Sequence, residues 1–242
     1  MILVTGCNER YKGRIRPYLH SLYTFAKFTC FYITVGFEDS HEGVCSFTLP
    51  ASENYGSPKE TECIQHGSFL PFFKTLPDSE VIIYTDGDFI MQREMRPEEK
   101  DFLKLKKWEV VTGYNFNDDC TLENDAKILG MKCSSVELED TWGSLIKKNQ
   151  DWNAGFLAMR KDAWERLYLN YMADWEKVCS TFEHQARQQW LISYEIATLG
   201  FDVKVCPWSI HAHGHGGYKP GMERREDGIY VDGTLALFRH FL

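Results

Sequence analysis

The chain contains no apolar run approaching the roughly 18 residues that a membrane-spanning helix needs, and no basic region precedes its opening Ile2-Leu3-Val4. Neither a bilayer span nor a secretion signal is expected. A surplus of positive charge is also missing: 27 Lys and Arg stand against 35 Asp and Glu, a formal net charge of −8. Affinity for a nucleic-acid backbone rests on clustered cations, so nucleic acid is not an expected partner. Paired cysteine spacings are absent too. The eight cysteines (Cys7, Cys30, Cys45, Cys63, Cys120, Cys133, Cys179 and Cys206) are scattered, and no two lie close enough for a paired zinc-ligand spacing. They read as reduced thiols used as small core residues. No internal repeat, low-complexity tract or composition shift marks a linker. The expectation is a soluble protein of a reducing compartment, the cytoplasm, with a single domain over residues 1–242.

What is present is an alternation of buried-strand and helical patterns over 242 residues that are 43% hydrophobic, enough for a sizeable core. Such alternation predicts an α/β layered fold with a largely parallel sheet. Strands are expected at Ile2 to Thr5, Phe31 to Val35, Val81 to Thr85, Trp108 to Thr112, Phe156 to Met159 and Val203 to Cys206. A first helix is expected behind Pro17, a residue suited to a first turn, with Tyr18, Leu19, Leu22 and Tyr23 at helical spacing. A second begins after Asp162 as N-cap, its apolar stripe running through Leu167, Tyr168, Tyr171, Met172, Trp175 and Val178. A third runs from about Gln185 to Leu199 and stops at Gly200. Residues 36 to 55 read as a loop with one short strand, and 115 to 150 as a long polar excursion near a binding site.

Two short segments carry the chemistry. Asp86-Gly87-Asp88 closes the run Val81-Ile82-Ile83-Tyr84-Thr85, so it sits where open α/β sheets place their ligands, at the carboxyl end of a strand. Alternation makes Asp86 and Asp88 project the same way, with Gly87 letting backbone approach a ligand. Such oxygen ligands suit Mg²⁺ or Mn²⁺, whose coordination is completed by substrate phosphates. More than a hundred residues later comes His211-Ala212-His213-Gly214-His215-Gly216-Gly217-Tyr218-Lys219-Pro220, which offers imidazoles and a lysine. Its glycines suggest a loop that closes over a bound donor and expels water. An acidic protein that handles an anionic diphosphate must offset its own field locally, by a metal or by placed cations. From residue chemistry alone, His211, His213 and His215 compete equally for the ligand role, and His240, next to the C-terminus, is an outside candidate.

The first strand and its sequel add a nucleotide end. Backbone at Thr5 and Gly6 can bond a base, Tyr11 can stack on it, and Arg14 and Arg16 can face phosphates. Trp142, Trp152 and Trp208 border the same segments, where an indole either stacks on a sugar or fills core.

These motifs together resemble the GT-A glycosyltransferases, whose Rossmann-like, mostly parallel sheet is flanked by helices, here with a small C-terminal extension. The likeness is to the retaining family 8, the glycogenin and bacterial galactosyltransferase group. Asp86-Gly87-Asp88 stands for that group's aspartate motif, and His213, Gly216, Lys219 and Pro220 match its late His-x-x-Gly-x-x-Lys-Pro. The resemblance implies that Asp86, Asp88 and His213 hold Mn²⁺ or Mg²⁺ and that Lys219, with Gly216, contacts the diphosphate. Asp151-Trp152-Asn153-Ala154-Gly155 is similar to the family's Asn-x-Gly segment bordering the sugar, which implies catalytic roles for Asp151 and Asn153. Gln189 falls on the glutamine of its Asp-Gln-x-x-Leu segment, with Gln188 replacing the acid. Thr5, Asn8 and Tyr11 fall in its nucleotide loop, where Gly6 stands for an aspartate.

The implied activity is transfer of a hexose from a nucleoside diphosphate sugar, UDP-glucose or UDP-galactose, to a glycan, lipid or protein acceptor with retention of configuration. An inverting enzyme would need a carboxylate base, for which Asp151, Asp140 and Glu183 are candidates. A sugar-nucleotide nucleotidyltransferase would carry a glycine-rich cationic loop after the first strand, which Gly6 to Arg16 fits only in part. A silent sugar-binding module would keep the aromatics without metal dependence.

Overall fold

A computed structural model describes residues 1–50, 70–78, 80–113, 137–139, 145–147, 152–181, 187–213 and 221–240. In chain order its first elements are β1 (Ile2–Asn8), α1 (Lys12–Phe25), β2 (Cys30–Val35), β3 (Cys45–Leu49), α2 (Leu70–Phe73), β4 (Val81–Thr85) and β5 (Phe89–Met91). Then follow α3 (Pro97–Phe102), β6 (Glu109–Gly113), β7 (Glu137–Glu139), β8 (Leu145–Lys147), β9 (Asn153–Arg160), α4 (Lys161–Thr181) and α5 (Arg187–Thr198). The last are β10 (Asp202–Val205), β11 (His211–His213), β12 (Met222–Arg225), β13 (Gly228–Val231), β14 (Thr234–Leu235) and β15 (Phe238–His240).

Seven strands form the central sheet in the order β10-β6-β9-β4-β1-β2-β3. Every neighbouring pair is parallel except those of β9, which runs antiparallel to both β4 and β6. The near-continuous burial of β1, β4 and β9 follows from their apolar sequences, because helices cover both faces. On one face Ile15, Tyr18, Leu19 and Leu22 of α1 pack with Leu3, Ile83 and Phe156. On the other, Trp164, Leu167 and Tyr168 of α4 and Leu191, Ile192 and Ile196 of α5 pack with Val4, Ile82, Tyr84 and Leu157. Each such side chain, fully buried, stabilises by about 1.5–3 kcal/mol. Trp164 is further fixed by its indole N–H, which donates to the Ile82 carbonyl at 3.2 Å, and by a stack on Tyr168.

A three-stranded sheet ordered β11-β15-β5 and an antiparallel meander of β12, β13 and β14 form the C-terminal extension. Among the described residues, no helix is long and apolar enough to cross a membrane.

Several bounds differ from the sequence reading, each for a local reason. Strand β1 continues three residues past Thr5, because Gly6, Cys7 and Asn8 keep their pairing with Ile33, Thr34 and Val35. Helix α1 starts at Lys12, directly after a 3₁₀ turn at Glu9–Tyr11, so Pro17 lies inside it. Pro17 is the sixth helical residue, past the four amides that have no carbonyl to meet, so it removes the one bond that its amide would have made to Gly13. Asp162 is not a cap but lies in the first turn of α4, where its charge complements the helix dipole. Gly200, with φ of +71°, stands just past the end of α5 in the left-handed conformation that glycine adopts without strain. His211–His213, expected in a loop, is strand β11. Of the 115 to 150 excursion, the described part is the β7-β8 hairpin.

Candidate functional site

The chain proceeds from β1 to β2 and β3 on one side and returns with β4 on the other, so the crevice between β1 and β4 is the topological switch point of the sheet. Asp86 leaves β4 there. Its amide donates to the Gly155 carbonyl at 2.9 Å, and the Tyr84 hydroxyl donates to Asp86 Oδ1 at 2.6 Å. Asp88, half exposed, lies two residues on, with Oδ1 3.2 Å from His240 Nε2. His240 reaches this point because β15 pairs with β5, setting it opposite Phe89, on whose ring it stacks at 4.3 Å. Asp86, Asp88 and His240 thus offer three ligand atoms within 4.8 Å of one another.

Enclosure of its carboxylate pushes Asp86 up to about 6 and the charge of Asp88 adds to the rise, against the opposing pull of His240 and the Tyr84 hydrogen bond. The two carboxylates so placed repel each other until a cation enters, and with the imidazole they make an oxygen-rich donor set that suits Mn²⁺ or Mg²⁺. The residues present fit a divalent metal.

The reversed strand β9 supplies the floor. Its direction brings Asn153 beside Gly113 and Phe156 beside Thr85, at the carboxyl edge of β4 and β6. The buried Asn153 side chain accepts from the Gly155 amide through Oδ1 at 2.9 Å. A side chain at Gly155 has no room: its Cβ would lie 2.7 Å from Asp86 Oδ2, 3.0 Å from Asn153 Oδ1 and 3.2 Å from His240 Cε1. Helix α5 clamps the same strand. Ser193 Oγ accepts from the Trp152 amide at 2.7 Å and donates to the Gln189 carbonyl, and Gln189 Oε1 accepts from the Ala154 amide at 3.4 Å.

At the end of β1, Tyr11 lies under the guanidinium groups of Arg10 and Arg14, 5.8 and 5.6 Å from its ring centroid. Asn8 Oδ1 is buried with no hydrogen-bond partner among the described residues. Parallel register sets Val4 beside Tyr84, which carries Gly6 level with Asp86. Thr5 is wholly buried.

The chain aligns with galactosyltransferase LgtC in complex with donor and acceptor sugar analogs, with a TM-score of 0.58 and 11% identity over 100% of this chain and 87% of that one. It aligns with an active-site mutant of LgtC at a TM-score of 0.59 and 10% identity, with the same shares covered. The fold is that of a GT-A glycosyltransferase. No family model and no curated protein matches the chain.

On this GT-A scaffold the sequence-expected residues divide clearly. Asp86, Gly87, Asp88, Asn153 and Gln189 come to one edge with Thr5, Gly6, Asn8, Tyr11 and Arg14. Gly87 packs against α1, where a Cβ would sit 3.0 Å from Ile15 Cδ1. Arg16 does not face phosphates: both oxygens of Asp39 hold its guanidinium, at 2.6 and 2.7 Å. Trp152 and Trp208 are buried core residues, leaving no indole face for a sugar. His211 is buried and stacks on Phe89 and Phe156, behind the cluster. The backbone of His213 pairs with that of His240 across β11 and β15; its side chain, with Asp151, His215, Gly216, Lys219, Asp140, Glu183 and Trp142, lies outside the described residues.

One participant escaped sequence reasoning. Tyr84 looked like one more apolar strand residue, although its place two before Asp86 on the same side of β4 was a usable signal. His240, an outside candidate in the sequence, is the imidazole that the fold brings to the two acids.

Proposed function

We propose that the chain is a glycosyltransferase, dependent on Mn²⁺ or Mg²⁺, that moves a hexose from UDP-glucose or UDP-galactose to a glycan, lipid or protein acceptor with retention. The observation that carries this reading is the meeting of Asp86, Asp88 and His240 at the carboxyl edge of a GT-A sheet. These three residues, with His213 on the adjoining strand, would hold the metal. When bound, it would supply positive charge to a diphosphate leaving group.

The chain's own groups take the remaining roles. Asn8 and the Tyr11 ring hold the base beside Thr5 and Gly6, while Arg14, Gly216 and Lys219 meet the phosphates. Asn153 and Gln189, fixed by β9 and α5, orient the sugar, and Asp151 borders the reacting carbon. The net charge of −8 makes such local cation placement necessary. One catalytic domain over residues 1–242 carries all of these groups. The free thiols Cys7, Cys30, Cys45 and Cys206 support a reducing compartment such as the cytoplasm.

Incubation with a panel of nucleotide sugars and Mn²⁺ should release nucleoside diphosphate even without acceptor, and EDTA should abolish both release and calorimetric donor binding. Donor binding unaffected by EDTA refutes the metal role. Product anomers resolved by NMR test retention.

A further inference from the structure

We infer that Tyr84 is a positioning residue for the metal carboxylates: its hydroxyl fixes Asp86 Oδ1 so that Oδ2 stays turned toward His240. The inference rests on the proposed metal role of Asp86, Asp88 and His240.

Asp86 is restrained at two points. Its amide is tied to the Gly155 carbonyl at 2.9 Å and Oδ1 to the Tyr84 hydroxyl at 2.6 Å. The space above Gly155 places Oδ2 on the His240 side, since one point there lies 2.7 Å from Oδ2 and 3.2 Å from His240 Cε1. Tyr84 can impose this because it cannot itself move. It is 1% exposed, in the middle of the sheet, with its ring edge-on to Trp164. A short bond from a neutral phenol to a carboxylate is charge-assisted. It engages one oxygen of Asp86 and leaves the other free to ligate. A rotating carboxylate would instead spread its charge over several orientations, only some facing Asp88 and His240.

The strand geometry makes the pairing obligatory. Residues two apart on a strand share a face, so a tyrosine two before the first acid is the one side chain of β4 able to reach it along that face. Phenylalanine at the same place keeps the ring edge-on to Trp164 and removes the hydroxyl that holds Asp86.

The test is Tyr84→Phe, studied with wild-type protein in the presence of UDP. Free Mn²⁺ is read by electron paramagnetic resonance, and folding by thermal melting in EDTA. The expected result is a melt that stays cooperative, lowered by a few degrees at most for the lost hydroxyl, with about 10- to 100-fold weaker Mn²⁺ binding, the range found when the partner of a metal ligand is removed. In turnover, the Mn²⁺ concentration for half-maximal rate should rise by the same factor, whereas the donor KM at saturating Mn²⁺ stays at the wild-type value. A purely structural tyrosine would not produce that split. Equal Mn²⁺ affinity in the two proteins overturns the inference, and so does a variant that no longer melts cooperatively, since Tyr84 would then be structural. If wild-type protein binds no Mn²⁺ at all, the metal reading fails and this inference falls with it.

Discussion

Replacing Glu195 by Gln should stabilise the protein above pH 8 and leave it nearly unchanged near pH 5, because the folded state holds this acid where it ionises late. Glu195 lies on α5 and is 3% exposed. It is hydrogen-bonded to the carboxyl of Asp174 on α4, and its Oε1 has no partner among the described residues. Two carboxyl groups can share a hydrogen bond only if one keeps a proton. Burial, and secondarily the neighbouring Asp174, push Glu195 up to about 8 from an ordinary 4.5.

The sign follows from proton counting. Between about pH 4.5 and 8 the native state holds a proton that the unfolded chain has released, so stability falls as pH rises, reaching its full loss above the folded value. At 1.36 kcal/mol per unit the shift corresponds to at most about 5 kcal/mol. Water reaching part of the carboxylate, and repulsion shared with Asp174, bring the expected effect to roughly 2 kcal/mol. Glutamine keeps the shape and donates its amide hydrogen to Asp174 without ever charging. For a chain of this size about 2 kcal/mol moves the melting temperature by roughly 4–8 °C. Melts of both proteins at half-unit steps from pH 5 to 9 should diverge steadily in favour of Glu195→Gln and run parallel beyond pH 8. Curves that stay parallel throughout, or diverge the other way, refute the shared-proton account. The helix concerned also carries Ser193 and Gln189, which hold Trp152 and Ala154, so loosening it at high pH should reach the proposed donor site.

Gly155→Ala forces a methyl to 2.7 Å from Asp86 Oδ2, while Asp86 is tied at its amide and at Oδ1. It should lower stability by about 1–3 kcal/mol, seen in urea melts, and weaken Mn²⁺ binding at least about tenfold; unaltered binding would mean that Asp86 is not a ligand. His240→Ala should cut Mn²⁺ affinity more than about tenfold by the same resonance assay. If His213→Ala alone does so and His240→Ala does not, the ligand set is the one read from the family spacing.

Sequence reasoning succeeded where local pattern carries the information. Val81–Thr85 came out with its bounds unchanged because a strand covered on both faces must be apolar at every position. Asp86 and Asp88 were legible for the same reason, since polar residues that end such a strand can only face its rim. Long-range closure was not legible. His240 joins the acids through a three-residue pairing of β15 with β5, and nothing in Phe238-Arg239-His240 names its partner strand. Arg16 looked like a phosphate ligand because its neutralising acid, Asp39, comes beside it only after β2 has folded along β1. The glycines after His213 made the whole segment read as a loop, although His211–His213 is held as a strand by Phe238–His240.

The reversal of β9 does more for the site than any single side chain. That strand is eight residues long, and its seven steps span about 24 Å at some 3.4 Å per residue. Had β9 joined the sheet parallel to β4, as the rest of the pattern invites, Asn153 would stand at the amino edge, about that distance from Asp86. Antiparallel pairing instead sets Phe156 against Thr85 and delivers the Gly155 carbonyl to the Asp86 amide. The one strand that departs from the parallel rule is therefore the one that lets a motif distant in sequence meet the acids. A register slip of a single residue there would turn Asn153 to the opposite face of the sheet. The bonds that prevent such a slip, from Ser193 to Trp152 and from Gln189 to Ala154, thus act on the candidate site without either helix residue having to touch Asp86, Asp88 or His240.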